Sequence, residues 1–198
     1  MRISFVFILA ITIVFSVNIE TVGSTDLSHI YSQPSVSLPS ISFSVASPPP
    51  EKKDDRPARV RIPAIGLDSP IEDMGLNAKK ELDVPDGSTD NVGWYKHGTI
   101  PGKKGSAVFD AHVYAAFADL KYLKPGDDIF VVTRSGDTLH FEVEVSETYK
   151  LANVPRQLLF NRKDGERLNL ITCAGKYIQS RATYDHRLIV YARLVENA

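Results

Sequence analysis

The sequence predicts an all-β domain, a sandwich or a closed barrel, on three observations. Short apolar runs, several alternating with polar residues, recur after Ala58 at roughly ten-residue spacing. Turn formers punctuate them, at Pro101-Gly102, Pro125-Gly126 and Ser135-Gly136. A single stretch carries helical spacing, which leaves room for one or two short helices and no helical layer.

Each element follows from its residues. Residues 59–67 alternate into Pro63 and Gly66, as an edge strand running into a turn does. Residues 69–76 and 81–85 give further short strands. Residues 92–95 lead into a loop bracketed by Pro101-Gly102 and Gly105. Residues 106–111 form a short run bounded by glycine, a buried strand ending at His112. Residues 115–124 place Ala116, Leu120 and Leu123 at helical spacing with Phe117 beside them, a short helix closed by Pro125-Gly126. Residues 129–133 and 139–145 flank the turn Arg134-Ser135-Gly136-Asp137 as a hairpin. A long connection over 149–166 precedes a buried strand that stops at Cys173, where Ala174-Gly175 turns, and the last strand is 187–195.

The 198 residues, 43% apolar and 24% charged with a formal net charge of -1, suit one ordinary domain with appendages. Lys and Arg are dispersed, which argues against a nucleic-acid face. Residues 3–19 are uncharged, with Arg2 before them and Glu20 after. That length is near the lower limit for a helix spanning a hydrocarbon core of about 30 Å, and long for a cleaved signal. We expect a signal-anchor over 1–20 with the N-terminus inside, or a signal peptide cut near Val22-Gly23-Ser24; both export the remainder. Residues 21–57 are rich in Ser and Pro and end in Pro48-Pro49-Pro50 and the charged run 51–56. That composition predicts a flexible linker with solvated charges. The folded domain is expected over 58–196.

Cys173 is the only cysteine, so it is either a core side chain or a chemical tool. A free cysteine packs as a small hydrophobe, and alone its segment favours the core. Export and a position at a strand end argue for reactivity. A nucleophilic thiol needs a base and a donor for the oxyanion it generates. Of five histidines, His29 lies in the linker and His140 in mid-strand, while His97, His112 and His186 stand at element ends. His112 ends a buried strand as Cys173 does, and strand ends of a small barrel share a rim. Arg187 opens the last strand on the face opposite Leu188, Val190, Ala192 and Leu194. On these residues alone, a cysteine hydrolase or acyltransferase is indicated and its partners stay open.

Several separated motifs then agree in order. Gly93-Trp94-Tyr95, residues 101–108, His112-Val113, Phe117-Ala118-Asp119-Leu120 and residues 124–129 resemble the front half of a sortase domain. Leu170-Ile171-Thr172-Cys173 is similar to that family's Thr-Leu-x-Thr-Cys signature, and residues 184–192 to its arginine-bearing final strand. The resemblance implies a closed eight-stranded β-barrel and a cysteine transpeptidase on the outer face of a cell membrane. It implies a substrate protein bearing a Leu-Pro-x-Thr-Gly-like sorting motif, a thioester on Cys173, and transfer to a peptidoglycan or pilin amine. His112 would move the protons, Arg187 would donate to the oxyanion, with Arg181 as its alternative, and Thr172 would contact substrate. Neither cofactor nor metal is implied; Asp83, Asp86 and Asp90 alternate with turn formers as loop residues do. Asn169 replaces the signature Thr, and Ala111 stands before His112 where Gly is usual. Ala174-Gly175 and the compact domain look most like class F, with classes E and D as neighbours. A catalytically idle surface-binding barrel and a peptidase using water are the alternatives. Leu158-Leu159-Phe160 is expected to wall an apolar groove.

Overall fold

The computed structural model of the protein describes residues 53–195. The expected signal-anchor, His29 and most of the linker lie outside the described residues, and no described helix is long and apolar enough to cross a membrane. The strands are β1 (Pro57–Ile62), β2 (Leu67–Met74), β3 (Val92–Tyr95), β4 (Gly105–Asp110), β5 (Asp128–Thr133) and β6 (Thr138–Lys150). Helix α1 (Arg156–Phe160), β7 (Glu166–Ile178) and β8 (Thr183–Leu194) follow.

The eight strands close into a barrel in the order β1-β2-β3-β4-β7-β8-β6-β5. The predicted all-β class and closed architecture are both present. Pairing is antiparallel except for β2 with β3 and β4 with β7. Parallel neighbours need long crossovers, so the β4–β7 pair brings residues of the predicted histidine strand beside those of the cysteine strand. The interior is filled by alternate residues of each strand, with Trp94, Phe109 and Phe141 the largest, and by Phe117 and Leu120 from the segment between β4 and β5. Closure leaves no free edges among these strands.

Four local expectations differ from the fold. Residues 115–124 carry the predicted apolar face, since Ala116, Phe117, Leu120 and Leu123 are all buried. Their backbone is a chain of turns with one 3-10 turn at Leu120–Tyr122, because most of their N–H bonds reach three residues back, as in Ala118 N to Ala115 O at 2.9 Å and Tyr122 N to Asp119 O at 3.0 Å. Residues 81–85 make one bridge, Leu76 with Leu82, instead of a strand. There Asn77 Oδ1 accepts from the Lys79 and Glu81 N–H groups, a side-chain turn that competes with a ladder.

The charged run is docked from Lys53 onward. Asp54 O accepts from Ser135 N at 3.1 Å, Arg56 O accepts from Arg134 N at 2.8 Å, and Lys53 pairs with Asp137 at 2.6 Å. Lastly, β7 continues through Cys173 to Ile178. The pairing of β7 with β8 breaks register between Ala174 and Tyr177, and Gly175 sits at φ 81° inside that bulge. The small residues after the thiol mark a bulge, which is the other meaning of glycine within a strand.

Candidate active site

Strand alternation places the chemistry. Ala107, Phe109, Leu168, Leu170, Leu188, Val190 and Ala192 face the barrel interior. Their neighbours Val108, Ile171, Ile189 and Tyr191 form a second apolar cluster on the outer face. The period of two then carries Asp110, Cys173 and Arg187 onto that outer face at one end of β4, β7 and β8. Cys173 and Arg187 are register partners. The arginine predicted to oppose the core residues of the last strand therefore stands directly across from the thiol.

The outer cluster is roofed by α1. Leu159 is buried in it and Phe160 packs against it, while Leu158 is exposed. The predicted apolar wall thus divides between a core contact and an exposed side chain. Asn169, buried beneath the helix, donates through Nδ2 to Leu159 O at 2.7 Å and Leu158 O at 3.4 Å. These carbonyls belong to the last turn of α1, which has no further turn to satisfy them. The departure from the signature residue at this position is a device for pinning the helix to β7.

His112 lies just beyond β4, and its backbone is tied to the cysteine strand. Ala111 N donates to Ile171 O at 3.4 Å, and the Thr172 hydroxyl donates to Ala111 O at 2.7 Å. Thr172, predicted to contact substrate, is 2% exposed with its hydroxyl engaged at this junction. After Ala111 the chain turns, with His112 O accepting from Ala115 N at 3.1 Å and Phe117 N at 3.3 Å. The His112 ring stacks on Tyr114 at 4.8 Å and 14°. Asp86 is held below the usual carboxylate range by bonds from the Ser88 hydroxyl and N–H, and the charge of His112 acts more weakly in the same direction.

The Arg187 guanidinium is held by three acceptors at the start of its own strand. Nη1 donates to His186 O at 2.9 Å and Tyr184 O at 3.2 Å, and Nη2 to Thr183 Oγ1 at 3.0 Å. Cys173 is half-buried and free. Burial pushes its thiol up, Arg187 pulls it down, Asp110 pushes it up again, and a Tyr184 backbone hydrogen bond favours the thiolate. Burial dominates, so at neutral pH the group is a thiol that needs a base.

The other candidates have different surroundings. His186 Nδ1 shares a hydrogen bond with Asp185 Oδ1 at 2.7 Å, and the same oxygen accepts from Lys176 N at 2.7 Å, spanning the bulge. A Cβ at Gly175 would run into that carboxylate, so glycine is required there on two counts. His140 pairs with Asp128 at 2.6 Å and stacks on Phe130. His97 packs edge-on against Tyr95. Arg181 is exposed in the 3-10 turn Gln179–Arg181 and lines a shallow cleft with Lys150, Leu151 and His186.

Cys173 and Arg187 share the outer face as register partners, and His112 follows β4 with its backbone tethered to β7; a thiol, a guanidinium and an imidazole are the parts that acyl transfer uses. Asp110 and Asn169 also belong to this face. One signal pointed to each in the sequence: a carboxylate inside the run 106–111, and a polar residue inside 168–171.

A sequence model described as the sortase domain matches residues 60–195. No curated protein sequence matches the chain. Among solved structures, sortase A from Corynebacterium diphtheriae superposes with a TM-score of 0.55 at 22% identity, covering 72% of this chain and 62% of that one. Sortase C-1 from Actinomyces oris gives 0.55 at 25% identity, over 71% and 72% of the two chains. Sortase C from Clostridium perfringens gives 0.53 at 21%, over 71% and 70%. The chain thus spans 62% of the length of the C. diphtheriae protein. These structural likenesses concern the fold.

Proposed function

The chain belongs to the sortase family, whose domain model matches residues 60–195, and from that membership we propose that it is a cysteine transpeptidase with Cys173, His112 and Arg187 as its reacting groups. The observation that carries this reading is the register pairing of Cys173 with Arg187 on the outer face of β7 and β8. Cys173 Sγ attacks the Thr carbonyl of a Leu-Pro-x-Thr-Gly-like motif. The carbonyl oxygen gains negative charge and accepts hydrogen bonds from Arg187. His112 takes the thiol proton and delivers it to the amide nitrogen of the leaving Gly, and a Cys173 thioester results. An incoming amine then attacks the thioester carbon, His112 accepts its proton, and the thiolate departs with a new amide formed.

The thiol pushed up by burial supports this division of labour, because a protonated nucleophile makes the histidine necessary. Thr172 acts as a positioning residue, fixing the backbone before His112 against the strand that bears Cys173. The exposed Leu158 at the edge of α1 offers apolar surface of the kind the Leu and Pro side chains of the motif need. The exported, membrane-anchored setting rests on the uncharged segment 3–19, read as a signal-anchor with the domain outside. A class F assignment rests on Ala174-Gly175 after the nucleophile. The acceptor is an amine of the cell wall or a pilin.

The test incubates the full chain with a Leu-Pro-x-Thr-Gly peptide and excess glycyl amine. The amine adduct of the Leu-Pro-x-Thr fragment is the expected product. Hydrolysed fragment alone would make the protein a peptidase, and no cleavage with Cys173 inert to iodoacetamide would make it an idle barrel.

A further inference from the structure

Asp110 is the one carboxylate in β4, whose other five residues are buried. In the ladder it stands opposite Gly93 of β3, which brings no side chain, and opposite Ile171 of β7. Cys173 lies two residues beyond Ile171 on the same face, and Arg187 pairs with Cys173. Adjacent strands lie about 4.8 Å apart and two residues along a strand span roughly 6.6 Å. Carboxyl, thiol and guanidinium therefore occupy neighbouring positions on one surface. None of the steps above uses the carboxyl.

We infer that Asp110 is a positioning residue for the thiol and guanidinium: once ionised, its carboxylate competes for the charge of Arg187 and weakens the hold of that arginine on a Cys173 thiolate and on the oxyanion. This rests on the reading of Cys173 as nucleophile and Arg187 as its donor. The groups facing Asp110 are Cys173 from β7 and Arg187 from β8, with Gly93 contributing none from β3. His112 stands two residues on, and its charge acts on Asp86 of the β2–β3 connection.

The electrostatics agree with the geometry. Burial pushes Asp110 up to about 8, while Arg187 and the Ala111 backbone N–H pull the other way. Cys173 is pushed above its ordinary value, and Asp110 is one cause. With rising pH the carboxyl ionises ahead of the thiol. Below about 8 it is neutral and leaves the charge of Arg187 to the thiol; above that it draws on that charge, in addition to repelling the thiolate directly.

The test measures the rate of Cys173 alkylation by iodoacetamide against pH for the full chain, Asp110→Asn, Arg187→Ala and the double variant. Asp110→Asn should move the midpoint to lower pH, raising the rate near pH 8 by roughly three- to tenfold, since one pKa unit is tenfold in thiolate. In the Arg187→Ala background the same substitution should shift the midpoint by less than half as much. An unmoved midpoint overturns the inference, and so does an equal shift in both backgrounds, which would mean direct repulsion without Arg187. Asp110→Ser, smaller and also neutral, repeats the measurement if the Asn variant fails to fold. The alkylation profile does not depend on turnover. A shifted profile without transfer of the motif peptide therefore defeats the transpeptidase reading, while an unchanged profile with intact transfer defeats the role of Asp110.

Discussion

Replacing Thr172 by Val tests whether the buried hydroxyl serves the reaction through the backbone. The two side chains have nearly the same shape, and Thr172 is 2% exposed, so water cannot replace the lost donor. The hydroxyl sits 2.7 Å from Ala111 O. A methyl group keeps about 3.3 Å or more from a carbonyl oxygen, so β4 and β7 must part by roughly 0.6 Å at this point, the difference between the two distances. Leaving the carbonyl without its partner costs about 1–3 kcal/mol. The parting falls between the backbone of His112 and that of Cys173, and a misplacement near 1 Å costs about a hundredfold in a positioned reaction. We expect kcat for transfer of a motif peptide to fall by about tenfold or more while KM changes little. Thr172→Ser, which keeps the hydroxyl, should retain most of the rate. Stopped-flow acylation and urea denaturation read the two effects separately. A rise in KM with kcat intact would return Thr172 to the role of substrate contact, and a Ser variant as impaired as the Val variant would assign the effect to the methyl group.

Arg187→Lys should lose transfer by about a hundredfold or more despite keeping its charge, because an ammonium cannot serve Tyr184 O, His186 O and Thr183 Oγ1 while presenting a donor to substrate; a near-normal rate would move the role to Arg181. Asn169→Ala should destabilise the fold by about 1–3 kcal/mol by stranding two carbonyls of α1. It should also change motif preference while leaving Cys173 alkylation near the wild-type rate; unchanged preference would separate α1 from substrate selection. The carboxyl of Asp110 is raised from an unfolded value near 3.9 to about 8 in the fold. Between those values the unfolded chain has released a proton that the folded chain keeps, so stability contributed by this group falls as pH rises through the window. Asp110→Asn should therefore gain stability relative to wild type as pH rises from about 4 towards 8 and level off above. Parallel urea midpoints for the two proteins across that range would refute it.

Much of the site was legible because its logic is local. Alternation in 187–195 put Arg187 opposite the core residues, and a short run bounded by glycine ended at His112, where β4 in fact gives way to a turn. The side chains of 115–124 were assigned correctly to the interior, yet the backbone was not, since apolar spacing is satisfied by successive i to i+3 turns as well as by a helix. Ala174-Gly175 suggested an ending because glycine interrupts a strand both where it stops and where it bulges; the resumed pairing at Tyr177, with the Asp185 carboxylate spanning the break, distinguishes the two. The parallel pairing of β4 with β7 depends on chain segments some sixty residues apart, as the Ala111–Thr172 bond shows. Periodicity carries no information on such neighbours. For that reason Asp110 passed as one more residue of the buried strand 106–111, and its partners Cys173 and Arg187 emerged only when β4, β7 and β8 were side by side.

Thioester formation on Cys173 is tested most directly by intact-protein mass spectrometry of the chain after mixing with a Leu-Pro-x-Thr-Gly peptide in the absence of added amine. A mass increase equal to the fragment ending in Thr, mapped to Cys173, reversed by hydroxylamine and missing in His112→Ala, is what a thioester-forming transpeptidase must give. An unmodified Cys173 in a folded protein that nevertheless cleaves the peptide, or an adduct that forms equally well without His112, would contradict it.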